Sequence, residues 1–293
     1  MKIIVLGAGA IGSFYGAKLS KLNDVTLIAR KKHADKINKN GLKIIGLENK
    51  NYKIKAATKV HKIENNTLIL LTTKVYDSEK AIKNIKNLIK KDTVILCLQN
   101  GLYSEDIARK SVKNKCLILR AITNFGAIFL KPGIIDYKNY SYTAIEKGLR
   151  SEEIAENFKE CGLNGYVSED IKKDMWKKVI FNCVLNPITA ILRIENSGIA
   201  DERLNPLKRL IADECVRAAK KDGVAFNFDF VQTINKEFKN SRNMSSMQQD
   251  LIKGKKTEIN YLNGAVIKLG KKYGIECPVN EALATIIKVM ERH

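Results

Sequence analysis

A glycine-rich turn close to the start of the chain constrains the fold more than any other feature. Lys2–Leu6 is a β-branched run that predicts a strand, and a G-x-G-x-x-G pattern follows directly at Gly7, Ala8, Gly9, Ala10, Ile11 and Gly12. An apolar-periodic helix and a second strand, Val25–Ala29, come next. In this setting the first glycine permits a tight turn, the second lets the backbone approach a pyrophosphate, and the third allows the helix to pack closely on the strand. The pattern predicts a dinucleotide-binding site; the alternative is a fortuitous glycine turn.

The end of the second strand indicates which dinucleotide is bound. NAD enzymes usually carry an Asp or Glu there, about 20 residues beyond the glycines, to hold the ribose hydroxyls. Here the strand runs into Arg30, and Lys31 and Lys32 follow. A guanidinium offers a planar fork for a 2′-phosphate, whereas a carboxylate would repel it. The sequence therefore predicts NADP(H), and the alternative is that these are ordinary surface bases of a lysine-rich protein.

Strand-like and helix-like segments alternate through the first half of the chain. Leu68–Leu71, Val94–Leu98 and Cys116–Ile122 are continuous apolar runs of the kind found in parallel strands that are covered on both faces. Apolar spacing over Ala81–Ile89 predicts a helix between two of them. Short β-like pieces beyond residue 133 predict that this lobe ends in antiparallel strands.

The pattern becomes helical throughout from about residue 168. Helices are predicted over about 171–192, 201–222, 227–239, 258–273 and 279–291, and Pro187 is expected to kink or break the first of them. The predicted fold class is α/β, with an N-terminal Rossmann-type dinucleotide-binding domain over residues 1–168. An all-helical C-terminal domain over residues 169–293 is expected to carry the substrate site and the catalytic residues.

The net charge of +21 over 293 residues raises nucleic acid, an anionic membrane or an anionic small molecule as partners. The lysines are dispersed along the chain and interspersed with acidic residues, without zinc-finger spacing, an RNP-type signature or an arginine-rich tail. Dispersed charge is typical of a solvated surface. We therefore expect a small anionic substrate, and neither nucleic acid nor a membrane as partner.

The cysteines and the apolar runs bear on the compartment. The six cysteines are widely spaced, with no C-x-x-C pair and no neighbouring histidine pair, so neither a metal site nor a redox motif is expected. Cys97 and Cys116 lie in apolar runs that predict buried strands, where a thiol behaves as a small hydrophobe. Reduced thiols favour the cytoplasm. No run approaches the roughly 18–20 apolar residues of a membrane span, and the strand and glycine turn account for the first residues better than a signal peptide does.

Histidine is a poor candidate for a catalytic proton donor in this chain. His33 and His61 lie in lysine-rich segments that predict surface positions, and His293 is the last residue. A lactate-dehydrogenase type of mechanism with an imidazole acid is therefore not expected. Lysine is the natural alternative.

The helix predicted over residues 171–192 carries a polar face. Lys178, Asn182 and Asn186 are spaced by four residues and therefore lie on one side of an otherwise apolar helix. Two amides and an ammonium suit a ligand with a carboxylate, a ketone and a hydroxyl, and a partly buried lysine has a lowered pKa that suits a general acid. The alternative is a set of buried, hydrogen-bonded asparagines beside a lysine whose charged end reaches solvent.

Several further motifs stand in a fixed order along the chain. They are the glycine turn, Thr73-Lys74-Val75-Tyr76, Gln99-Asn100-Gly101, the K-x-x-x-N-x-x-x-N-P-I-T-A stretch from Lys178 to Ala190, Ser245–Asp250, Thr257–Asn260 with Asn263-Gly264, and Gly274–Asn280. In this order they resemble the ketopantoate reductase (2-dehydropantoate 2-reductase) family, and the likeness covers essentially the whole chain. Met244 and Arg193 depart from the family pattern without touching an expected role.

The resemblance implies a role for each matching residue. Lys178 is the expected proton donor, with Glu258 as a second catalytic residue that lies beside the cofactor and tunes Lys178. The implied substrate-binding residues are Asn100, Lys178, Asn182, Asn186, Asn196 and Ser246. The implied cofactor-binding residues are Gly7, Ala8, Gly9, Ala10, Ile11, Gly12, Arg30, Lys74, Asn100, Ala127 and Glu258, with Ala127 contributing its backbone.

The function that the resemblance implies is NADPH-dependent reduction of 2-dehydropantoate to pantoate, in pantothenate and coenzyme A biosynthesis. One alternative is an NADPH-dependent reductase of the same fold that acts on another 2-keto acid. A second is a basic, non-catalytic regulator that binds a dinucleotide, against which the presence of Lys178 and Glu258 argues. A homodimer is compatible with a helical second lobe, but no sequence feature fixes the oligomeric state.

Overall fold

The structure is a computed structural model that describes residues 1–291, so His293 lies outside the described residues. Contacts between Cα atoms divide the chain into two compact units. The first comprises Met1–Gln99 and Tyr103–Ile171; the second comprises Asn100–Leu102 and the chain from Lys172 onward. The predicted domain ranges, 1–168 and 169–293, stay predictions beside this division.

The first unit combines strands with intervening helices. Its strands are β1 (Lys2–Leu6), β2 (Asp24–Ile28), β3 (Leu42–Gly46), β4 (Lys50–Tyr52), β5 (Lys55–Ala57), β6 (Leu68–Leu71), β7 (Val94–Cys97), β8 (Leu117–Thr123), β9 (Gly126–Lys131), β10 (Ile134–Asn139), β11 (Thr143–Ile145) and β12 (Gly165–Val167). Its helices are α1 (Ala10–Leu19), α2 (Lys31–Asn40), α3 (Ser78–Lys83), α4 (Ser104–Val112) and α5 (Ser151–Glu160).

The larger sheet has the strand order β12-β11-β8-β7-β6-β1-β2-β5. β1 lies between β2 and β6 and is parallel to both, so the chain leaves β1 in one direction and later returns on its other side. Ile3 and Val5 belong to one buried cluster while Ile4 and Leu6 belong to another, which shows that both faces of β1 are covered. The carboxyl end of β1 is therefore a topological switch point, the usual ligand-binding position in such sheets.

The smaller sheet has the order β4-β3-β10-β9. β9 and β10 form an antiparallel hairpin, and β11 is antiparallel to β8, in agreement with the antiparallel strands expected at the end of this lobe. β10 also pairs in parallel with β3, which the sequence does not predict.

The helix predicted over Ala81–Ile89 is displaced and shorter than expected. α3 ends at Lys83, and the chain continues through turns in which Ile85 and Leu88 donate backbone hydrogen bonds three residues back. Asn84 and Asn87 favour such turns over a continuing helix. The buried isoleucines that gave the helical pattern still face the core from these turns.

The second unit is built from helices. They are α6 (Ile171–Leu192), which begins at the last residue of the first unit, α7 (Asn205–Lys221), α8 (Phe230–Phe238), α9 (Ser246–Ile252), α10 (Asn263–Tyr273) and α11 (Pro278–Met290). Short 3-10 turns cover Asn196–Ala200, Glu202–Leu204 and Ile259–Tyr261, where the sequence predicts loops or longer helices. α9 is not predicted. In the part of the chain that the structure describes, no helix is both long enough and apolar enough to cross a bilayer.

α6 passes through Pro187 without a break. Proline lacks the N–H that would bond to the carbonyl four residues earlier, here that of Cys183. The side-chain amide of Asn263 donates to this carbonyl at 3.1 Å. A tertiary hydrogen bond thus replaces the missing helical one, and the break expected at Pro187 does not occur.

Asn263 belongs to a buried polar network that joins four helices of the second unit. Its amide also donates to Asn280 Oδ1 at 2.9 Å, at the start of α11. The Glu214 carboxylate on α7 accepts hydrogen bonds at 2.9 Å from the backbone N–H groups of Val279 and Asn280. The network holds α6, α7, α10 and α11 together around the Cys183 carbonyl.

Candidate active site

The glycine turn lies directly after β1 and is tightly enclosed on one side. Gly7 has φ +107°, and a Cβ there would lie 2.6 Å from the backbone nitrogen of Thr73. A Cβ on Gly12 would lie 2.5 Å from the carbonyl oxygen of Gly7. A Cβ on Gly9, by contrast, would have no atom of the described residues within 4 Å, its chain neighbours aside. The turn is thus closed around Gly7 and Gly12 and open at Gly9.

α1 begins immediately beyond this opening. The Ser13 N–H donates to the Gly9 carbonyl at 3.0 Å, so the N–H groups of the preceding residues lie at the free end of the helix. Within the described residues, α1 has neither a side chain capping its N-terminus nor an acidic residue in its first turn. Free N–H groups, the positive end of the helix dipole and open space at Gly9 fit a pyrophosphate.

Arg30 precedes the first residue of α2 and is exposed, as are Lys31 and Lys32. Among the described residues, the first turn of α2 contains no acidic side chain, and Lys31 pairs with Asp35 one turn later at 3.0 Å. Three cations at a helix N-terminus suit a phosphate group and would not suit a carboxylate.

His33 is not on the surface, contrary to the expectation from its lysine-rich surroundings. It is 4% exposed and lies on the buried face of α2 with Ala34 and Ile37. Burial lowers the pKa of His33 to about 4, so the ring is neutral near pH 7. The spacing to Ala34 and Ile37 was the available signal, since these positions share one face of a helix.

The predicted residues Lys74 and Asn100 follow two adjacent strands. Lys74 lies beyond β6 and precedes a 3-10 turn, Val75–Asp77. The Gln99 side chain donates to the Thr73 carbonyl at 3.1 Å, and the guanidinium of Arg120 donates to the Gln99 carbonyl at 2.7 Å. These bonds join the turn before Lys74 to the turn before Asn100.

Arg120 is a buried residue of this region that sequence reasoning missed. It is 3% exposed and forms a salt bridge with Glu105 at 3.0 Å. A charge in the middle of the apolar strand β8 is the signal that could have identified it, because buried arginines are held by specific partners.

Asn100 begins the short segment that belongs to the second unit. The N–H of Leu102 donates to the carbonyl of Tyr261 at 3.2 Å. Gly101 has φ +87°, and a Cβ there would lie 3.0 Å from the Tyr261 Cβ, so this segment approaches the Ile259–Tyr261 turn closely. Glu258, which is buried, immediately precedes the same turn.

Lys178, Asn182 and Asn186 lie on one face of α6, as their spacing predicts. Lys178 and Asn182 are half-buried, and Asn186 is buried. Lys177 faces elsewhere, with its ammonium 3.7 Å from Glu237 and 5.5 Å from the centre of the Phe181 ring.

Asn196 lies in the Asn196–Ala200 turn and is buried. Its backbone N–H donates to the Asn243 carbonyl at 2.8 Å. Its side-chain oxygen Oδ1 is buried and has no hydrogen-bond partner among the described residues. A buried acceptor without a donor is costly, so this oxygen is suited to a donor from a bound ligand.

Ser246 is the exposed first residue of α9. Ser245 caps this helix by accepting from the Gln248 N–H at 3.3 Å, and Thr189 Oγ1 donates to Ser245 Oγ at 2.8 Å. Thr189, on α6, therefore fixes the start of the helix that carries Ser246. Sequence reasoning gave Thr189 no role, although it lies in the N-P-I-T-A motif.

The two units divide the predicted residues between them. The first unit holds Gly7–Gly12, Arg30, Lys74 and Ala127, which lies half-buried on β9 opposite Tyr137. The second unit holds Lys178 and Glu258 together with Asn100, Asn182, Asn186, Asn196 and Ser246. A parallel sheet with a phosphate-binding turn at its switch point, followed by a helical unit with a lysine and asparagine face, defines a dinucleotide-dependent oxidoreductase.

Comparison with known proteins identifies the family. The family model described as ketopantoate reductase PanE/ApbA matches residues 3–149, and the model of the family's C-terminal region matches residues 170–291. The 2-dehydropantoate 2-reductase of Pyrococcus horikoshii is 36% identical over 299 residues, which covers 99% of this chain and 98% of that protein. The corresponding enzyme of Archaeoglobus fulgidus is 31% identical with the same coverage.

Solved structures agree with this identification. A PanE/ApbA family ketopantoate reductase from Ralstonia eutropha has a TM-score of 0.92 at 27% identity, covering 100% of this chain and 99% of that one. D-mandelate dehydrogenase, solved with NADH and anilino(oxo)acetate, has a TM-score of 0.93 at 28% identity with the same coverage. The chain belongs to the ketopantoate reductase family and is an oxidoreductase that acts on CH–OH groups. The predicted fold class, family and enzyme class are therefore confirmed.

Proposed function

We propose that this enzyme reduces 2-dehydropantoate to pantoate with NADPH. The observation that carries the proposal is the unbroken course of α6, which keeps Lys178, Asn182 and Asn186 on one face despite Pro187. An ammonium followed by two amides matches a substrate that offers a ketone, a carboxylate and a hydroxyl. The relatives named 2-dehydropantoate 2-reductase support the same substrate.

NADPH is favoured over NADH by the chemistry at the start of α2. Arg30, Lys31 and Lys32 present three cations where a carboxylate would be needed to hold an unphosphorylated ribose. The open face of the glycine turn at Gly9 accommodates the pyrophosphate. We assign further contacts with the cofactor to Lys74, the Ala127 backbone, Asn100 and Glu258.

The cofactor, when bound, supplies the hydride. Lys178 donates a proton from its ammonium to the oxygen of the former ketone and is left neutral, so the alkoxide never has to persist as an anion. Glu258 favours the charged form of Lys178 before the transfer, because a carboxylate stabilises a neighbouring ammonium. The side chains of Asn100, Asn182, Asn186, Asn196 and Ser246 hold the substrate in one orientation.

Asn196 gives this substrate set a specific fit. Its buried Oδ1 has no donor among residues 1–291. The terminal hydroxyl of 2-dehydropantoate is a donor of the kind that this oxygen requires. A keto acid without that hydroxyl would leave the buried acceptor unsatisfied, which disfavours its binding.

Pantoate serves pantothenate and coenzyme A biosynthesis, and we assign the enzyme to that route. The six cysteines are free thiols, which supports a reducing compartment and hence the cytoplasm.

Substitution of the proton donor tests the proposal. Lys178→Ala should reduce kcat by roughly 10²–10⁴, the usual contribution of a general acid, and should leave NADPH affinity close to that of the wild type. Lys177→Ala is the matched control, because its ammonium is engaged by Glu237 and the Phe181 ring. Wild-type turnover in Lys178→Ala would refute the assignment of the acid.

A second candidate function is the reduction of another 2-keto acid. The likeness to D-mandelate dehydrogenase favours it, since that protein was solved with NADH and anilino(oxo)acetate. A panel that compares 2-dehydropantoate with 2-keto acids bearing a phenyl or an alkyl group separates the two candidates. A higher kcat/KM for a keto acid without the terminal hydroxyl would favour the second.

A further inference from the structure

The imidazole of His33 joins three segments of the first unit. Its Nε2 lies 3.0 Å from Ser13 Oγ on α1, and its Nδ1 accepts the backbone N–H of Gly133 at 2.9 Å. The ring of Phe129 on β9 packs edge-on against it, with 4.8 Å between the ring centres. Both nitrogens and one face of the ring are therefore engaged by different elements.

These contacts define the ring's protonation state. Nδ1 accepts a hydrogen bond and so carries no proton, which places the ring proton on Nε2 and makes Ser13 Oγ the acceptor. The lowered pKa of about 4 agrees with this neutral form. A charged ring would lose the acceptor that holds the Gly133 N–H.

Each contact lies next to a residue assigned to the cofactor. Ser13 directly follows Gly12, the last glycine of the turn. Arg30 is one helical turn before His33, whose backbone N–H donates to the Arg30 carbonyl at 2.9 Å. Phe129 lies two residues beyond Ala127 on the same strand.

We propose that His33 is a positioning residue that fixes Arg30 relative to the glycine turn and thereby determines the preference for NADPH over NADH. The inference rests on the proposed function, because it requires that Arg30 meets the 2′-phosphate. His33 acts through Arg30 and not by its own contact with the cofactor, since the ring is buried and both nitrogens already have protein partners.

The two cofactors would respond differently to the loss of this contact. NADH depends on the pyrophosphate site at the glycine turn, which α1 and β1 form without α2. NADPH needs in addition a correctly spaced phosphate site at the start of α2, and hydrogen bonds between charged groups depend steeply on geometry. Loosening α2 from α1 should therefore weaken NADPH binding more than NADH binding.

The test compares kcat/KM for NADPH and for NADH, with one 2-keto acid, across a set of variants. His33→Phe keeps an aromatic ring against Phe129 but removes both hydrogen bonds, while Ser13→Ala removes only the bond to α1. Ser20→Ala is the control, because its hydroxyl bonds only to the Ala17 carbonyl at the far end of α1. Arg30→Ala reports the contribution of the phosphate contact itself.

The NADPH-to-NADH ratio should fall about tenfold in His33→Phe and in Ser13→Ala, the equivalent of one hydrogen bond to a charged group, with the change residing in KM for NADPH. In the Arg30→Ala background, His33→Phe should change the ratio no further. Equal losses with both cofactors, or an unchanged ratio while Arg30→Ala lowers it, would overturn the role of His33 and leave the NADPH assignment standing. A wild-type enzyme without NADPH preference would overturn both.

Discussion

The Asn263 side chain replaces the hydrogen bond that Pro187 cannot make, and this replacement can be measured as a coupling energy. Asn263 is fully buried and donates to the Cys183 carbonyl and to Asn280. Asn263→Ala removes both bonds and leaves the buried carbonyl without either donor. At about 1–3 kcal/mol for the stranded acceptor, plus about 1 kcal/mol for the bond to Asn280, the variant should lose roughly 3 kcal/mol of unfolding free energy.

Pro187→Ala supplies the missing N–H within α6. In the Asn263→Ala background this N–H reaches the orphaned Cys183 carbonyl, so the double variant should regain about 1–2 kcal/mol more than Pro187→Ala gains in the wild type. Pro206→Ala is the control. Pro206 lies in the first turn of α7, where an N–H has no helical acceptor, so its effect should simply add to that of Asn263→Ala.

Urea unfolding followed by tryptophan fluorescence suits this cycle. The chain has one tryptophan, Trp176, which is buried in α6 and donates to Asp222 at 2.9 Å, so the signal reports on the second unit. Sites that do not interact add to within about 0.5 kcal/mol. Additivity of Asn263→Ala and Pro187→Ala within that margin would refute the idea that Asn263 compensates for the proline.

Two further predictions concern the first unit. Gly9→Ala should fold with wild-type stability but bind NADPH weakly, because the position is open in the folded chain and the added methyl would meet only the pyrophosphate; Gly12→Ala should lose stability, because its Cβ would collide with the Gly7 carbonyl. Thermal melts and NADPH titrations distinguish the two, and equal melting temperatures would contradict the prediction. The buried neutral His33 should make folding stability fall as pH drops from its ordinary pKa of 6.5 towards its folded pKa of about 4, since the unfolded chain binds the proton more readily. The slope approaches about 1.4 kcal/mol per pH unit, or roughly 3 kcal/mol over the range, and His33→Gln should flatten it in urea titrations between about pH 4.5 and pH 7.

Local patterns were enough to predict the elements that position the site. β6 and β7 are continuous apolar runs because both of their faces are buried, and the glycine turn has steric reasons for Gly7 and Gly12 that any such turn imposes. The i, i+4 spacing on α6 needs only helix geometry. These features depend on residues close together in the chain.

Features that depend on distant partners could not be predicted. Pro187 remains helical because Asn263, which is far along the chain, supplies a donor to Cys183. The lysine-rich segment around His33 conceals a residue buried by contacts with Ser13 and Gly133. The short strand β4, Lys50–Tyr52, has little apolar pattern of its own and exists through its pairing with β3.

The site divides in the same way. The residues with a clear chemical type, such as Lys178 and Arg30, could be selected from motifs, whereas the groups that hold their surroundings in place could not. Thr189 acts through a hydroxyl bond to Ser245, and Arg120 through the Gln99 carbonyl. Both depend on tertiary contacts between segments that are well separated in sequence.

Oxidation of NADPH in the presence of 2-dehydropantoate tests the central claim most directly. The near-ultraviolet absorbance of NADPH should fall when the purified enzyme meets both compounds, pantoate should form in equal amount, and kcat/KM should be higher with NADPH than with NADH. No loss of absorbance with 2-dehydropantoate, while another 2-keto acid supports turnover, would contradict the proposed substrate. Faster turnover with NADH would contradict the role assigned to Arg30.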